Sequence, residues 1–503
     1  MLAWTIYSSF IGVLLVLLLP RGSAGAARVL ALLTALTGFA ITLMAFMRYQ
    51  TGAMVTITRL SWVPSLGIEY HLAADGISLV LLLVTGILAI TGILFSWNIG
   101  HRAKAFFAFF LTLIGAMYGV FLSYDLFLLF VFYEIVIIPK YFLIAIWGST
   151  RREYGAMKLA IYSFVGSAMV LIGLIAAYVV AGSKSMGLLD LAAYPFPAHF
   201  QMWAFPLVFL GFAILAGMWP FHTWAPTGHV AAPTAASMLL AGVVMKLGAY
   251  GCLRVAMVLF PLGLGPWGFH VLGLGSWRDV FAMLAVIGII YGAMVALVQK
   301  DFKFVIGYSS VSHMGFVLLG LMTLNQIGLS GAVLQMYSHG IIAGLLFAVV
   351  GRMVYERTHT RDLSELGPMD LNKAIPFAAV TFVIAGIASM GLPGFSGFVA
   401  ELMVLIGVWH VFPTVTIFVG LGLVVGVAYT WRAMQKAFFA DTGAAPGPPH
   451  PPMLPISLPE RIAAVVLIGA SMAVGLYPQF LLRIVIPALN SPLFEGLRKG
   501  SWQ

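Results

Sequence analysis

The chain has 503 residues, 62% of them hydrophobic and 8% charged, with a mean hydropathy of +1.04. That balance excludes a soluble domain and implies a polytopic membrane protein built as one unit, residues 1–503. The net charge of +10 would suit a nucleic-acid binder in a soluble protein; in a membrane chain it reflects basic loops biased to one side. The single cysteine, Cys252, cannot form an internal disulfide, and the sequence has no CxxC or CxxH pair to hold zinc, haem or an iron–sulfur cluster.

Apolar runs of roughly 17 residues or more number about fourteen, which predicts an all-α membrane bundle. In chain order they cover 2–20, 28–47, 74–96, 105–122, 125–147, 157–181, 202–219, 233–258, 280–298, 303–321, 327–352, 374–409, 412–436 and 460–482. The first lacks a basic leader and a small-residue cleavage site, so a retained helix is expected. The seventh ends on Trp219-Pro220-Phe221, and the twelfth carries Gly391-Leu-Pro393-Gly394 in its middle. Both are predicted to be broken helices.

Loops after odd-numbered spans hold sixteen of the twenty-six Lys and Arg residues. By the positive-inside rule both termini then face outward. Gly248-Ala-Tyr-Gly-Cys-Leu-Arg254 closes the eighth span and Gly426-Val-Ala-Tyr-Thr-Trp-Arg432 the thirteenth. Five spans separate them, so the copies run in opposite directions, and residues 104–258 and 280–438 are expected to be two inverted five-helix repeats. The Pro- and Gly-rich stretch within 441–459 reads as a flexible cytoplasmic linker.

Protonatable side chains lie deep within several spans: Glu134, Lys140, Lys246, His313, His339 and Glu401. A charge in hydrocarbon costs several kcal/mol on most scales, so such groups face a polar interior or a water-lined path. Neither Glu134 nor Lys246 is cheap to bury alone, and one hydrated network accounts for both. The alternative for Glu134 is a carboxylate merely satisfied by a neighbouring helix's hydroxyl. Glu401 follows the break at Pro393-Gly394, where water and freed backbone groups suit proton entry or exit; its alternative is to cap the broken helix. His313 and His339 come with hydroxyls nearby and suit a relay. His222, at the seventh-span break, is a further candidate, and with His229 it lacks the third ligand a metal needs. Gly263-Leu-Gly-Pro-Trp-Gly follows no strand and is not a dinucleotide loop.

Several segments together carry a resemblance. They are Tyr70-His-Leu-Ala-Ala-Asp75-Gly-Ile-Ser, Pro220-Phe-His-Thr-Trp224, His229-Val-Ala-Ala-Pro-Thr-Ala, Tyr308-Ser-Ser-Val-Ser-His313-Met-Gly-Phe, Tyr355-Glu-Arg-Thr-His-Thr-Arg-Asp362 and Gly391-Leu-Pro-Gly-Phe-Ser-Gly-Phe-Val-Ala-Glu401. In these the chain resembles the M subunit of bacterial NADH:quinone oxidoreductase, respiratory complex I, among the antiporter-like membrane subunits. The resemblance implies fourteen helices with the seventh and twelfth broken. It makes Glu134 the span-five glutamate, Lys246 the span-eight lysine and Glu401 the exit-side glutamate, with His313 and His339 on the central polar axis. It implies no cofactor in this chain, with NADH, FMN, iron–sulfur clusters and quinone held by partner subunits. The partners it implies are paralogous antiporter-like subunits, other membrane subunits and a hydrophilic redox arm, in a bacterial inner membrane with both termini periplasmic and no nucleic acid.

The sequence departs from that family at the seventh span. Where the family usually has a lysine five residues before Pro-Phe-His, this chain has Leu215, and Thr227-Gly228 replace an acidic residue before His229. Lys140 appears on the fifth span instead. Either the lysine has moved to a new backbone position, with Lys140 now partnering Glu134, or this copy pumps poorly or not at all; the alternative for Lys140 itself is that it snorkels to the cytoplasmic headgroups. The expected function is proton translocation along a Glu/Lys/His axis, coupled to electron transfer in other subunits. The rivals are a subunit of a multi-subunit cation/proton antiporter, a membrane subunit of an energy-converting hydrogenase, and a non-pumping spacer.

Overall fold

A computed structural model describes residues 1–20, 22–49, 54–271, 273–440 and 453–499. Arg21 and most of the expected linker, 441–452, lie outside the described residues. Twelve helices among these residues are long and apolar enough to cross a membrane. The shorter Ala3–Leu18 and the pair Pro376–Ser389 with Ser396–Trp409 bring the bundle to the fourteen spans expected.

The helices are α1 (Ala3–Leu18), α2 (Ala24–Arg48), α3 (Gly76–Phe95), α4 (Ala103–Leu122), α5 (Leu126–Trp147), α6 (Arg152–Val180), α7 (Ala198–Ala216) and α8 (Trp224–Ala231). They continue as α9 (Thr234–Met257), α10 (Trp277–Val298), α11 (Phe302–Met322), α12 (Gln326–Thr358), α13 (Pro376–Ser389), α14 (Ser396–Trp409), α15 (Pro413–Phe438), α16 (Leu458–Leu476) and α17 (Gln479–Leu489). Starts are written in the sequence. Asp75, Asp125, Ser276, Asp301 and Asn325 each accept a backbone N–H of the first turn of α3, α5, α10, α11 and α12. Both expected breaks are present. The seventh span parts between α7 and α8 around Gly217 and Pro220, and the twelfth between α13 and α14 around Gly391, Pro393 and Gly394.

The apolar windows of α9 and α12 are wholly buried, whereas that of α15 is only 22% buried. The innermost helices are therefore those that carry Lys246 and His339, and lipid faces the outer ones. Two antiparallel hairpins add to the expected all-α fold. Val55–Val63 (β1) pairs with Ile68–Ala74 (β2), and Pro266–Val271 (β3) with Leu274–Ser276 (β4). Both lie between spans, where a search for long apolar runs has nothing to detect.

The two repeat motifs end on opposite faces. Arg254, at the end of α9, pairs with Asp75 beside the β1–β2 hairpin at 2.5 Å. Arg432, near the end of α15, donates to the carbonyl of Gln299 on the other face at 3.0 Å. On the Arg254 face the chain packs very closely: a Cβ on Gly76 would lie 1.9 Å from the carbonyl oxygen of Ile484 in α17. On the opposite face Glu460 caps α16 and binds Arg352 at 2.6 Å and Arg357 at 2.8 Å, tying α16 to the end of α12. Arg361 binds Asp301 there at 3.2 Å.

Candidate functional site

Four of the predicted residues form a connected polar line through the innermost helices. The π-helical turn Leu240–Val244 in α9 leaves the carbonyl of Ala241 free for the ammonium of Lys246. Such turns recur where a helix must offer backbone to a functional group. Lys246 Nζ also meets His339 Nδ1 at 2.5 Å. An ammonium has no acceptor to offer. With Lys246 charged, His339 therefore accepts at Nδ1 and carries its proton on Nε2, which has no hydrogen-bond partner among the described residues.

The His339 and His313 rings lie 5.7 Å apart between centroids. Both face a narrow cavity with room for about one water, also lined by Ser309, Ser310, Ser338 and Ser389. A polar space beside His339 Nε2, which has no hydrogen-bond partner among the described residues, is where a bridging water fits. Beyond it His313 Nδ1 lies 3.1 Å from Glu401 Oε1. Gln335 Nε2 sits 3.4 Å from both groups, and Ser389 Oγ 3.3 Å from His313 Nε2. The Glu401 carboxylate folds against the broken segment, so closely that a Cβ on Gly391 would be 2.7 Å from Oε2. Gly391 has φ +70, a left-handed conformation suited to glycine.

The other two axial candidates share α5. This helix is interrupted at Val136, between Leu126–Ile135 and Ile137–Trp147. Pro139 has no N–H to offer the carbonyl of Ile135 four residues back, so the ladder opens one turn before the proline. Glu134 is half-buried at the end of the first segment. Lys140 in the second is 1% exposed, and its ammonium donates to Ser163 Oγ in α6 at 2.9 Å rather than reaching the surface. Ser167, one turn along the same face of α6, lies beside the Glu134 carboxylate, and the Lys140 charge is near enough to act on it. The acid and the base thus lie beside two serines spaced i, i+4 on one face of α6, without direct contact. Leu215 is buried in α7.

His222 is not brought into this line. Its ring packs against Tyr291 at 5.1 Å and Tyr308 at 6.3 Å, and both ring nitrogens lack a partner among the described residues. The sequence reading passed over Ser163, Ser167, Gln335 and Ser389. The serine pair had a visible signal, two hydroxyls four apart on an apolar span. Gln335 and Ser389 had none, because their role depends on which helices meet. No group of three or more His, Cys, Asp or Glu residues with metal-site geometry occurs among the described residues.

Residues 123–426 match the family described as NADH:quinone oxidoreductase/Mrp antiporter, transmembrane. The chain is 35% identical over 472 residues to NAD(P)H-quinone oxidoreductase chain 4 1 of Synechococcus elongatus, covering 92% of this chain and 85% of that one. It is 33% identical over 488 residues to NADH-quinone oxidoreductase subunit M of Rhodobacter capsulatus, covering 93% and 91%. Among solved structures, a chain of respiratory complex I from Thermus thermophilus with bound NADH superposes with a TM-score of 0.88 at 26% identity over 100% of both chains. A chain of the Mrp complex from Dietzia sp. shares the fold alone, with a TM-score of 0.83 at 20% identity over 99% of both chains. The chain belongs to the NADH:quinone oxidoreductase/Mrp antiporter transmembrane family, as an antiporter-like membrane subunit of the subunit M and chain 4 type.

Proposed function

We propose that this chain is the proton-translocating M-type subunit of an NADH:quinone oxidoreductase, moving protons along Lys246, His339, His313 and Glu401. The observation that carries the reading is the alignment of four buried groups, 2.5 Å from Lys246 to His339 and 3.1 Å from His313 to Glu401, with the two histidine rings 5.7 Å apart between centroids. Electron carriers reside in partner chains: paralogous antiporter-like subunits lie alongside in the bacterial inner membrane, and a hydrophilic arm holds NADH, FMN, iron–sulfur clusters and quinone. Both termini face the periplasm, in keeping with the sixteen basic residues on the opposite loops. Residues 104–258 and 280–438 form the two inverted repeats, each ending on its own face with Arg254 and Arg432.

Coupling runs through Glu134 and Lys140. Opposite charges about 4 Å apart at an effective dielectric near 20 interact by roughly 4 kcal/mol, and one pKa unit corresponds to about 1.4 kcal/mol. Moving Lys140 between Ser163 and the neighbourhood of Glu134 therefore changes the charge balance of that pair substantially, and in this reading the change is relayed along the spans to Lys246. Redox events elsewhere drive that movement. The testing experiment purifies the assembly, identifies its other chains and measures protons moved per electron in vesicles. Co-purifying redox subunits and a lower yield with Lys246→Ala support the reading. A set of small antiporter subunits with no redox partner would replace it with the cation/proton antiporter reading.

A further inference from the structure

The polar line needs a way in from the Arg- and Lys-rich face. That face opens into a cleft of about 750 Å³, lined by Ser96, Ser149, Thr234, Lys303, Arg352 and Glu356 among others. At its floor is Lys303, the second residue of α11, which is 3% exposed. Its ammonium donates to the carbonyl of Ala232 at 2.6 Å and of Val230 at 3.4 Å, at the C-terminal end of α8. A carbonyl end suits a cation, but it is no substitute for a carboxylate. The nearby acid, Asp301, caps α11 and pairs with Arg361, and Arg361 shares the Val230 carbonyl at 3.1 Å. Lys303 is thus a buried lysine that opens to the cleft and forms no carboxylate ion pair among the described residues.

One residue before Val230 in the chain is His229, fully buried, with neither ring nitrogen hydrogen-bonded among the described residues. The charges of Lys303 and Lys246 both reach this ring. The ring packs against Phe347 at 5.0 Å, yet neither of its nitrogens is hydrogen-bonded among the described residues. Leaving a buried polar group without a partner is unfavourable.

Resting on the proton-translocation reading above, we propose that Lys303 loads protons from the cleft and delivers them to Lys246 through His229. The ammonium of Lys303 passes one proton to neutral His229 and becomes an amine. The imidazolium passes that proton to the amine of Lys246. Water in the cleft then reprotonates Lys303. One proton moves inward, and no other bond changes. Lys303 could instead serve only to cap α8, and the two roles separate by substitution, since arginine keeps the carbonyl bonds but does not release its proton.

The test uses the intact complex in vesicles, with assembly checked on native gels and proton yield per electron as the readout. Lys303→Met and Lys303→Arg are both expected to lose the share of the yield that Lys246→Ala loses, with assembly retained. Loss in the Met variant with a normal yield in the Arg variant makes Lys303 a cap and overturns the inference. Normal yields in both Lys303 variants, with loss in Lys246→Ala, overturn it while leaving the axis intact. A normal yield in Lys246→Ala overturns the axis, and this entry route with it.

Discussion

Two buried acid–base pairs in this molecule are built in opposite ways. On the face of the β1–β2 hairpin Asp75 and Arg254 touch at 2.5 Å, and the guanidinium is enclosed by the rings of Tyr124, Tyr250 and Phe494 at 5.3–5.5 Å. In mid-membrane Glu134 and Lys140 are held on either side of two serines, with Lys140 bonded to Ser163 and Glu134 beside Ser167. The first pair has one low-energy arrangement and a base that does not deprotonate. It locks α3 to α9. The second has a flexible base able to give up its proton and a helix already opened at Val136. Contact makes a fastener; separation by hydroxyls leaves room for two states.

Breaking the lock should have the largest effect. Asp75→Asn leaves Arg254 buried without its counter-charge, at about 3–5 kcal/mol, and is expected to deplete the assembled complex. Native-gel abundance checks this, and the complex that does assemble should pump normally. Glu134→Gln comes next: assembly is retained and the proton yield per electron drops by this subunit's share. Lys140→Arg sharpens the contrast, because it puts the lock's base into the switch. It is expected to assemble and to lose the same share of yield, and a normal yield would mean that charge alone suffices. The smallest effect is expected from Ser163→Ala. One hydrogen bond is worth about 0.5–1.5 kcal/mol, so turnover should fall by about tenfold at most.

Much of this was legible in the sequence, because in a bilayer each span must satisfy its own backbone and announces itself by length and hydropathy. The proline and glycine breaks of the seventh and twelfth spans were readable for the same reason. Glu134, Lys140, Lys246, His313, His339 and Glu401 stood out as charges or imidazoles where none is cheap. Their order of contact was not readable: Lys246 and His339 are 93 residues apart, and their meeting depends on how α9 and α12 pack. Lys303 was hidden for the opposite reason, since at the mouth of a span it resembles any basic loop residue. The interruption of α5 fell at Val136 rather than at Pro139 itself, because the missing bond belongs to the preceding turn.

The central claim is that Lys140 serves Glu134 from α5 in place of a lysine at position 215. Proton yield per electron in vesicles, compared between Lys140→Met and the double variant Lys140→Met with Leu215→Lys, tests it most directly. The account predicts that the single variant loses this subunit's share and that the double variant regains it. A normal yield in Lys140→Met, or no recovery in the double variant when both assemble, would contradict it.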